Sequence, residues 1–291
     1  MENLLVSVII PTYKRQPNML KRAVLSVINQ SYQNIEVIVV DDSPTDFEFR
    51  SEVEKMLNSL DKRIRYIKHD TNMGACAARN TGINASCGEF IAFLDDDDEW
   101  LHNKLEKQLK KIVLFKETGL IYCREYIVNE NTGNIQISTR KCHAGYVFDN
   151  LIISNFIGST SFVLAKKECF KKVGLFNTQL ESAQDYDMWL RISQKYIVDF
   201  VNEPLVNYYV HNEGRISDNT KKKIQGLEML IQLYSEYLEK NKRVKGIRLI
   251  KLVPYYLSNK DKEKAWKTYI EAIKLSPFSL INNLRYLKCF L

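Results

Sequence analysis

Phe90-Ile91-Ala92-Phe93-Leu94-Asp95-Asp96-Asp97-Asp98-Glu99-Trp100 is a short apolar run that ends abruptly in four consecutive carboxylates. Carboxylates this crowded repel one another and need a counter-charge. In an open α/β sheet, ligands gather at the carboxyl ends of the strands, so a strand at 90–94 would put the cluster where a ligand site is expected. A hard divalent cation would supply the counter-charge, with carboxylate oxygens on one side and substrate phosphates on the other. A solvated acidic turn is the alternative for the cluster taken alone. A second acidic strand end occurs at Asp41-Asp42, after Val37-Ile38-Val39-Val40.

The residues before the cluster repeat one unit. Leu4 to Ile10 and Glu36 to Val40 read as buried strands rich in β-branched residues. Between them, Asn18 to Gln30 carries Leu20, Val24, Val27 and Ile28 at helical spacing. The next cycles predict a helix over Glu52 to Leu60, a strand over Ile64 to Lys68, a helix from Gly74 to Ser86 and the strand at Phe90. This alternation predicts an α/β fold with a Rossmann-like, mainly parallel central sheet flanked by helices. From Leu120 to Phe200 the pattern is mixed. Strands are expected at Ile121 to Tyr126 and Ile135 to Ser138, around the turn Asn131-Thr132-Gly133, and at Ser159 to Ala165. A helix is expected at Tyr186 to Gln194. The polar stretch from Asn129 to Val147 fits a mobile loop.

After Ser217 the pattern is helical, with segments at Gly226 to Leu238, Lys245 to Tyr256 and Asp261 to Leu275. The last of these resembles one helix of a tetratricopeptide unit, without a second copy. The division expected is a body at 1–215 and a basic helical C-terminal extension at 216–291. The chain carries a formal +7, and residues 216–291 hold 16 Lys plus Arg against seven Asp plus Glu, leaving the body near −2. A basic tail on a near-neutral body argues for an anionic surface, with inner-leaflet phospholipid preferred. No nucleic-acid reading motif accompanies the charge.

With 291 residues and 45% apolar content, the chain can bury a substantial core. No apolar run approaches the roughly 20 residues of a membrane span, and MENLLVSVIIPTY lacks the features of a secretory leader. A cytoplasmic location is expected, with peripheral attachment to the inner face of the plasma membrane open. The six cysteines show no CxxC spacing and read as reduced and structural.

The chain resembles a family 2 glycosyltransferase of the GT-A fold over roughly residues 4 to 211. The resemblance rests on Val6-Ser7-Val8-Ile9-Ile10-Pro11-Thr12-Tyr13, Ser26-Val27-Ile28-Asn29-Gln30 and Glu36 to Ser43. It continues through Asn72-Met73-Gly74, Ala78-Arg79-Asn80-Thr81-Gly82-Ile83, Gly88-Glu89-Phe90-Ile91, Leu94 to Asp98 and Gln184-Asp185-Tyr186-Asp187-Met188-Trp189-Leu190-Arg191. It implies that Pro11, Thr12 and Tyr13 contact uracil and ribose, and that Asp42 accepts from the uracil imide, with an Asx-turn or helix cap as the alternative for Asp42. Arg79 is placed beside the nucleotide, on phosphate or paired with the acidic cluster.

Asp95 and Asp97 form the DxD element by resemblance, with Asp97 on the cation, Mn²⁺ or Mg²⁺, Asp95 on cation and donor, and Asp96, in place of the usual small middle residue, counted with the donor site. Asp185 is implied as general base, although an acidic helix start is favourable in itself and Asp187 competes. Gln184 stands where the family usually has Glu. Trp189 reads equally as a sugar-site wall or as core. His211 falls where relatives carry a histidine near diphosphate or metal, and Phe156 to Ser161 where they shape an acceptor pocket.

Taken together, these implications describe an inverting, metal-dependent transfer of a hexose or N-acetylhexosamine from a UDP-sugar to a saccharide or lipid-linked saccharide in surface-polysaccharide synthesis. A nucleotidyltransferase is a rival, but Pro11-Thr12-Tyr13-Lys14-Arg15 holds none of the glycines of a phosphate loop. A nucleotide-sugar-binding scaffold or partner-binding protein is the non-enzymatic rival. Donor sugar, acceptor, linkage and oligomeric state are not written in the sequence.

Overall fold

A computed structural model describes residues 4–210 and 219–277. The chain packs as two compact units. The first is Met1–Phe148, Asn155–Thr178 and Met188–Asn212; the second is Asp149–Ser154, Gln179–Asp187 and Glu213–Leu291.

The first unit is built on strands β1 (Val6–Thr12), β2 (Ile35–Asp41), β3 (Ile64–Lys68) and β4 (Phe90–Phe93), separated by helices α1 (Pro17–Ile28), α2 (Arg50–Leu60) and α3 (Ala75–Ala85). These four strands pair in parallel in the order β3-β2-β1-β4, so their carboxyl ends share one edge. The chain continues through β5 (Glu99–Trp100), α4 (Lys104–Ile112), β6 (Thr118–Asn129), β7 (Ile135–Ile137) and the short α5 (Phe148–Leu151). Then come β8 (Val163–Lys166), α6 (Lys167–Val173), α7 (Gln184–Ser193) and β9 (Ile197–Val210). The sheet has nine strands among the described residues: β8 lies antiparallel between β4 and β6, β9 runs parallel to β6, and β5 closes the edge antiparallel to β9.

Alternation along each strand explains why helices cover both faces. Val6, Val8 and Ile10 share a core with Val37, Val39, Leu20, Val24, Val27, Leu105 and Leu109, all buried. Ile38 and Val40 point to the other face and pack on Ala78 of α3. Each such side chain contributes roughly 1.5–3 kcal/mol by leaving water. On this second face Gly82 is required: a Cβ there would lie 2.4 Å from Ile9 Cγ2.

Two expectations change with the structure. The strand expected from Ser159 begins only at Val163, because Thr160–Phe162 form a 3₁₀ turn with Ser159 Oγ accepting from Ser161 N. The stretch Asn129 to Val147, read as a mobile loop, is in part strand: β7 lies where a strand was expected at Ile135 to Ser138, paired antiparallel with β6. Beyond β7, the Arg140 guanidinium pairs with the buried Glu125 and sits 5.2 Å from the Phe162 ring.

The second unit contains α8 (Thr220–Leu233), α9 (Ser235–Lys240), α10 (Lys242–Ile250), α11 (Val253–Ser258) and α12 (Lys262–Leu275). Its core joins Ile224, Leu249, Ile250, Val253, Tyr256, Ala265, Tyr269 and Ala272. Small residues let α10 and α12 approach closely: a Cβ on Gly246 would stand 2.9 Å from Ala272 O.

Lys104 is fully buried in the first unit, donating to Gln108 Oε1 at 2.8 Å above the Trp100 ring. Burial pushes its ammonium down to about 8 from the ordinary 10.5. The folded value lies below the unfolded one, so the penalty is complete below about pH 8 and fades as pH rises to 10.5. Lys104→Met should therefore stabilise the protein by about 1–3 kcal/mol at pH 7, with the gain shrinking across that window. Thermal melts of both proteins from pH 7 to 10.5 check this. Gly82→Ala should cost about 2–4 kcal/mol by overpacking against Ile9, read by urea denaturation.

Candidate active site

Three strand ends build the site. Pro11 and Thr12 close β1 and are buried, while Tyr13 just beyond is 44% exposed and leaves its ring open to solvent. The turn that follows takes a left-handed conformation at Lys14, whose amide donates to Ser43 Oγ at 2.7 Å.

At the end of β2 the two aspartates divide their work. Asp41 forms the Asx-turn, accepting from Ser43 N at 2.9 Å and from the Tyr66 hydroxyl. Asp42 is buried and accepts from Met73 N and Gly74 N at 2.8 and 2.7 Å, with His69 Nδ1 2.7 Å away. Gly74 is the N-cap of α3 at φ 89°, so Asp42 holds the start of that helix. A carboxylate has about four acceptor positions, which leaves one on Oδ2 for an external donor. His69, absent from the sequence reading, links Asp42 to Thr81 Oγ1 at 2.9 Å. Its only signal in the sequence is its place directly after β3.

After β4 the four aspartates separate into different environments. Asp95 accepts from Arg79 at 2.9 Å and from Ser159 Oγ and Thr160 Oγ1 at 3.1 Å each. Asp96 is buried and accepts from Thr12 Oγ1 at 2.7 Å and Arg15 at 2.6 Å. Asp97 receives the longer Arg15 contact at 3.4 Å and keeps 18% side-chain exposure. Asp98 is fully buried with Ser161 Oγ and Tyr209 N as partners, and burial, then the charges of Asp95 and Asp97, push its pKa well up. Arg15 and Arg79 thus supply the counter-charge that the sequence demanded. Arg15 lies two residues beyond the segment singled out for the nucleotide and was not itself a candidate; no spacing rule pointed it at Asp96.

The segment Phe156 to Ser161, expected to meet an acceptor, has its hydroxyls turned onto the cluster. Ser159 and Thr160 hold Asp95, and Ser161 both donates to Asp98 and accepts from Asp95 N at 3.1 Å. Buried carboxylates need donors more than a solvated sugar does, and these small side chains are the nearest supply. Asn80 pairs with the backbone of Phe176, a structural role. Trp189 is core: it is fully buried and donates to Gly158 O at 3.0 Å. Arg191 caps the end of α6 through the carbonyls of Val173, Gly174 and Leu175. A pocket of about 440 Å³ opens between α1 and β5, lined by Lys21, Arg22, Trp100 and His102 among others. Arg22 also donates to Asp97 O at 2.7 Å.

Asp185 stands in the first turn of α7, in the second unit, and is partly exposed, whereas Asp187 is buried. Asp185 Oδ1 accepts from Tyr186 N at 2.7 Å. Accessibility favours Asp185 over Asp187 for contact with a substrate. His211 lies outside the described residues.

Among the described residues, no three His, Cys, Asp or Glu side chains converge to hold a metal ion. The donor set near β4 is nevertheless all hard oxygen, with Asp95 and Asp97 partly exposed on either side of buried Asp96. Such a set fits Mg²⁺ or Mn²⁺ if a bound diphosphate completes the coordination.

The sequence pattern of Glycosyl transferase family 2 matches residues 7–174. WcaA of Escherichia coli K12, a glycosyl transferase named for colanic acid biosynthesis, is 32% identical over 272 residues, covering 86% of this chain and 94% of its own. WfgD of Escherichia coli, named as a UDP-Glc:alpha-D-GlcNAc-diphosphoundecaprenol beta-1,3-glucosyltransferase, is 29% identical over 228 residues, covering 77% of this chain and 84% of its own. The crystal structure of S. aureus TarS 1–349 in complex with UDP-GlcNAc shares the fold, with a TM-score of 0.64 at 18% identity over 94% of this chain and 81% of that one. A family pattern over more than half of the sequence, joined by a relative above 30% identity across most of both chains, shows that this protein belongs to glycosyl transferase family 2.

Proposed function

We propose that this glycosyltransferase is an inverting enzyme that moves a hexose or N-acetylhexosamine from a UDP-sugar to a hydroxyl of a saccharide, free or lipid-linked, in surface-polysaccharide synthesis. The observation that carries the reading is the strand edge where Tyr13, Asp42 and the Asp95–Asp97 cluster come from the ends of three parallel strands. Relatives named for colanic acid biosynthesis and for glucosyl transfer from UDP-Glc support the donor class and the pathway class.

In this reading, Tyr13 packs on the uracil and the remaining Oδ2 position of Asp42 accepts from its imide N–H. Arg15 and Arg79, both engaged by the aspartates, face the added negative charge of the diphosphate. Asp97 and Asp95 would hold Mg²⁺ or Mn²⁺, which when bound neutralises charge on the leaving diphosphate. Asp185 takes the proton of the acceptor hydroxyl as its oxygen attacks the anomeric carbon. The bond from that carbon to the phosphate oxygen breaks, and UDP leaves with the electron pair. One displacement with one base inverts the anomeric centre. The basic residues of α8 to α12 support docking of the second unit on an anionic inner leaflet, where a lipid-linked acceptor would be presented. No helix among the described residues is long and apolar enough to cross a membrane.

The test is a panel of UDP-, GDP- and dTDP-sugars assayed for Mn²⁺-dependent release of nucleoside diphosphate, with and without saccharide acceptors. Release from a UDP-sugar with inversion at the product anomer is expected; retention, or preference for another nucleotide, overturns the scheme. Asp97→Asn should lower kcat/KM about 10²- to 10³-fold, and chelation by EDTA should abolish turnover; an EDTA-insensitive rate removes the metal from the reading. Asp185→Asn should lower kcat about 10²- to 10⁴-fold while UDP still binds by calorimetry.

A further inference from the structure

The sequence reads the C-terminal helices as an appendage, yet the second unit includes two segments from the middle of the chain, Asp149–Ser154 and Gln179–Asp187. The second of these carries Asp185. Every link between it and the tail helices falls inside this unit. Gly226 of α8 is closed against Ser182: a Cβ there would lie 2.5 Å from Ser182 O. Lys222 pairs with Glu181 at 3.2 Å. Arg248 of α10, 4% exposed, donates to the Tyr186 hydroxyl at 3.0 Å with its guanidinium 5.0 Å from the Tyr186 ring. That hydroxyl in turn donates to Leu151 O at 2.6 Å, with Ile152 O at 3.2 Å.

Arg248 is an expensive choice for a strut. Among the described residues no carboxylate forms an ion pair with it, and burial pushes its pKa down. Lys251, one turn on, donates to Ile153 O at 2.6 Å, and burial followed by the charge of Arg248 brings its ammonium down to about 8. A packed hydrophobe would serve plain stability as well or better than a buried cation without an anion. What the guanidinium does supply is direction, because its planar donors fix the phenol of the residue next to Asp185. The backbone there needs fixing: Ala183, two residues before Asp185, is held in the left-handed region at φ 60°. Such strain persists only where surrounding bonds over-determine it. Asp187 N donates to Ala183 O at 3.0 Å and Gln184 Nε2 to Leu180 O at 2.9 Å.

We propose that Arg248 is a positioning residue of the transfer reaction, setting the Asp185 carboxylate through Tyr186, so that the tail helices belong to the catalytic machinery rather than only to membrane docking. The inference rests on the reading of Asp185 as the base.

The test compares full-length wild type with Arg248→Met, Arg248→Lys, Tyr186→Phe and Asp185→Asn. Turnover is measured with the UDP-sugar found in the donor panel, UDP affinity by calorimetry in Mn²⁺, and amide hydrogen exchange on peptides spanning 179–187. Arg248→Met should lower kcat about 10- to 100-fold with donor KM and UDP affinity within about threefold of wild type. Exchange in 179–187 should accelerate about tenfold or more, the melting temperature should not fall, and Arg248→Lys should recover part of both losses. Should Arg248→Met fail to fold, Tyr186→Phe keeps the packing and should show the same split at smaller size. Wild-type kcat and exchange in a folded Arg248→Met overturn the proposal, as does a kcat loss matched by lost UDP affinity. If Asp185→Asn turns over normally, the base assignment fails instead; the exchange data then still decide whether Arg248 holds this segment.

Discussion

Repulsion among Asp95, Asp96, Asp97 and Asp98 is the constraint around which the first unit is organised. Four carboxylates at the end of one strand are unstable without compensation, and the compensation comes from four distant parts of the chain. Thr12 and Arg15 come from the end of β1 and the turn after it, Arg79 from α3, Ser159 to Ser161 from the turn before β8, and Tyr209 from β9. Satisfying the cluster therefore requires the strand order to be correct. The acidic strand end is thus the place where the sheet's separate parts are tied together.

The individual aspartates consequently differ in kind. Asp98 is so deeply buried that its carboxyl is pushed toward the neutral form, and it acts as a bracket between Ser161 and the backbone of Tyr209. Asp96 is buried against Thr12 and Arg15, while Asp95 and Asp97 retain partial exposure. A run that reads as four equal residues becomes two that fasten and two that stay partly open to solvent. Asp41 and Asp42 repeat the theme at the next strand end, the first fixing its own turn and the second holding the start of α3.

The parallel half of the fold was legible because each element there obeys a local rule. Branched apolar runs of strand length alternate with amphipathic helices, and β3 falls on the expected residues, Ile64 to Lys68. The later strands were harder. β5 is two residues long, and the branched and aromatic residues of β9 are interrupted by Asn202-Glu203-Pro204, so neither presents one continuous apolar signature. Around the site, residue types told which side chains carry charge but not which charges meet. Arg15 with Asp96, His69 with Asp42 and Ser161 with Asp98 join residues 81, 27 and 63 positions apart. Contacts at such separations are set by the folded topology, which periodicity does not contain.

The boundary between the two units falls within α7, between Asp187 and Met188. A family of transferases could be expected to diversify by exchanging tails at the end of the sheet domain, but this chain does not offer a clean cut. Residues 149–154 and 179–187 pack with the tail while lying far before it in sequence, and Gly226 leaves no room for any other shape at Ser182. The C-terminal helices are therefore built together with the two earlier segments they pack against, and a different tail would need both of those segments to match it.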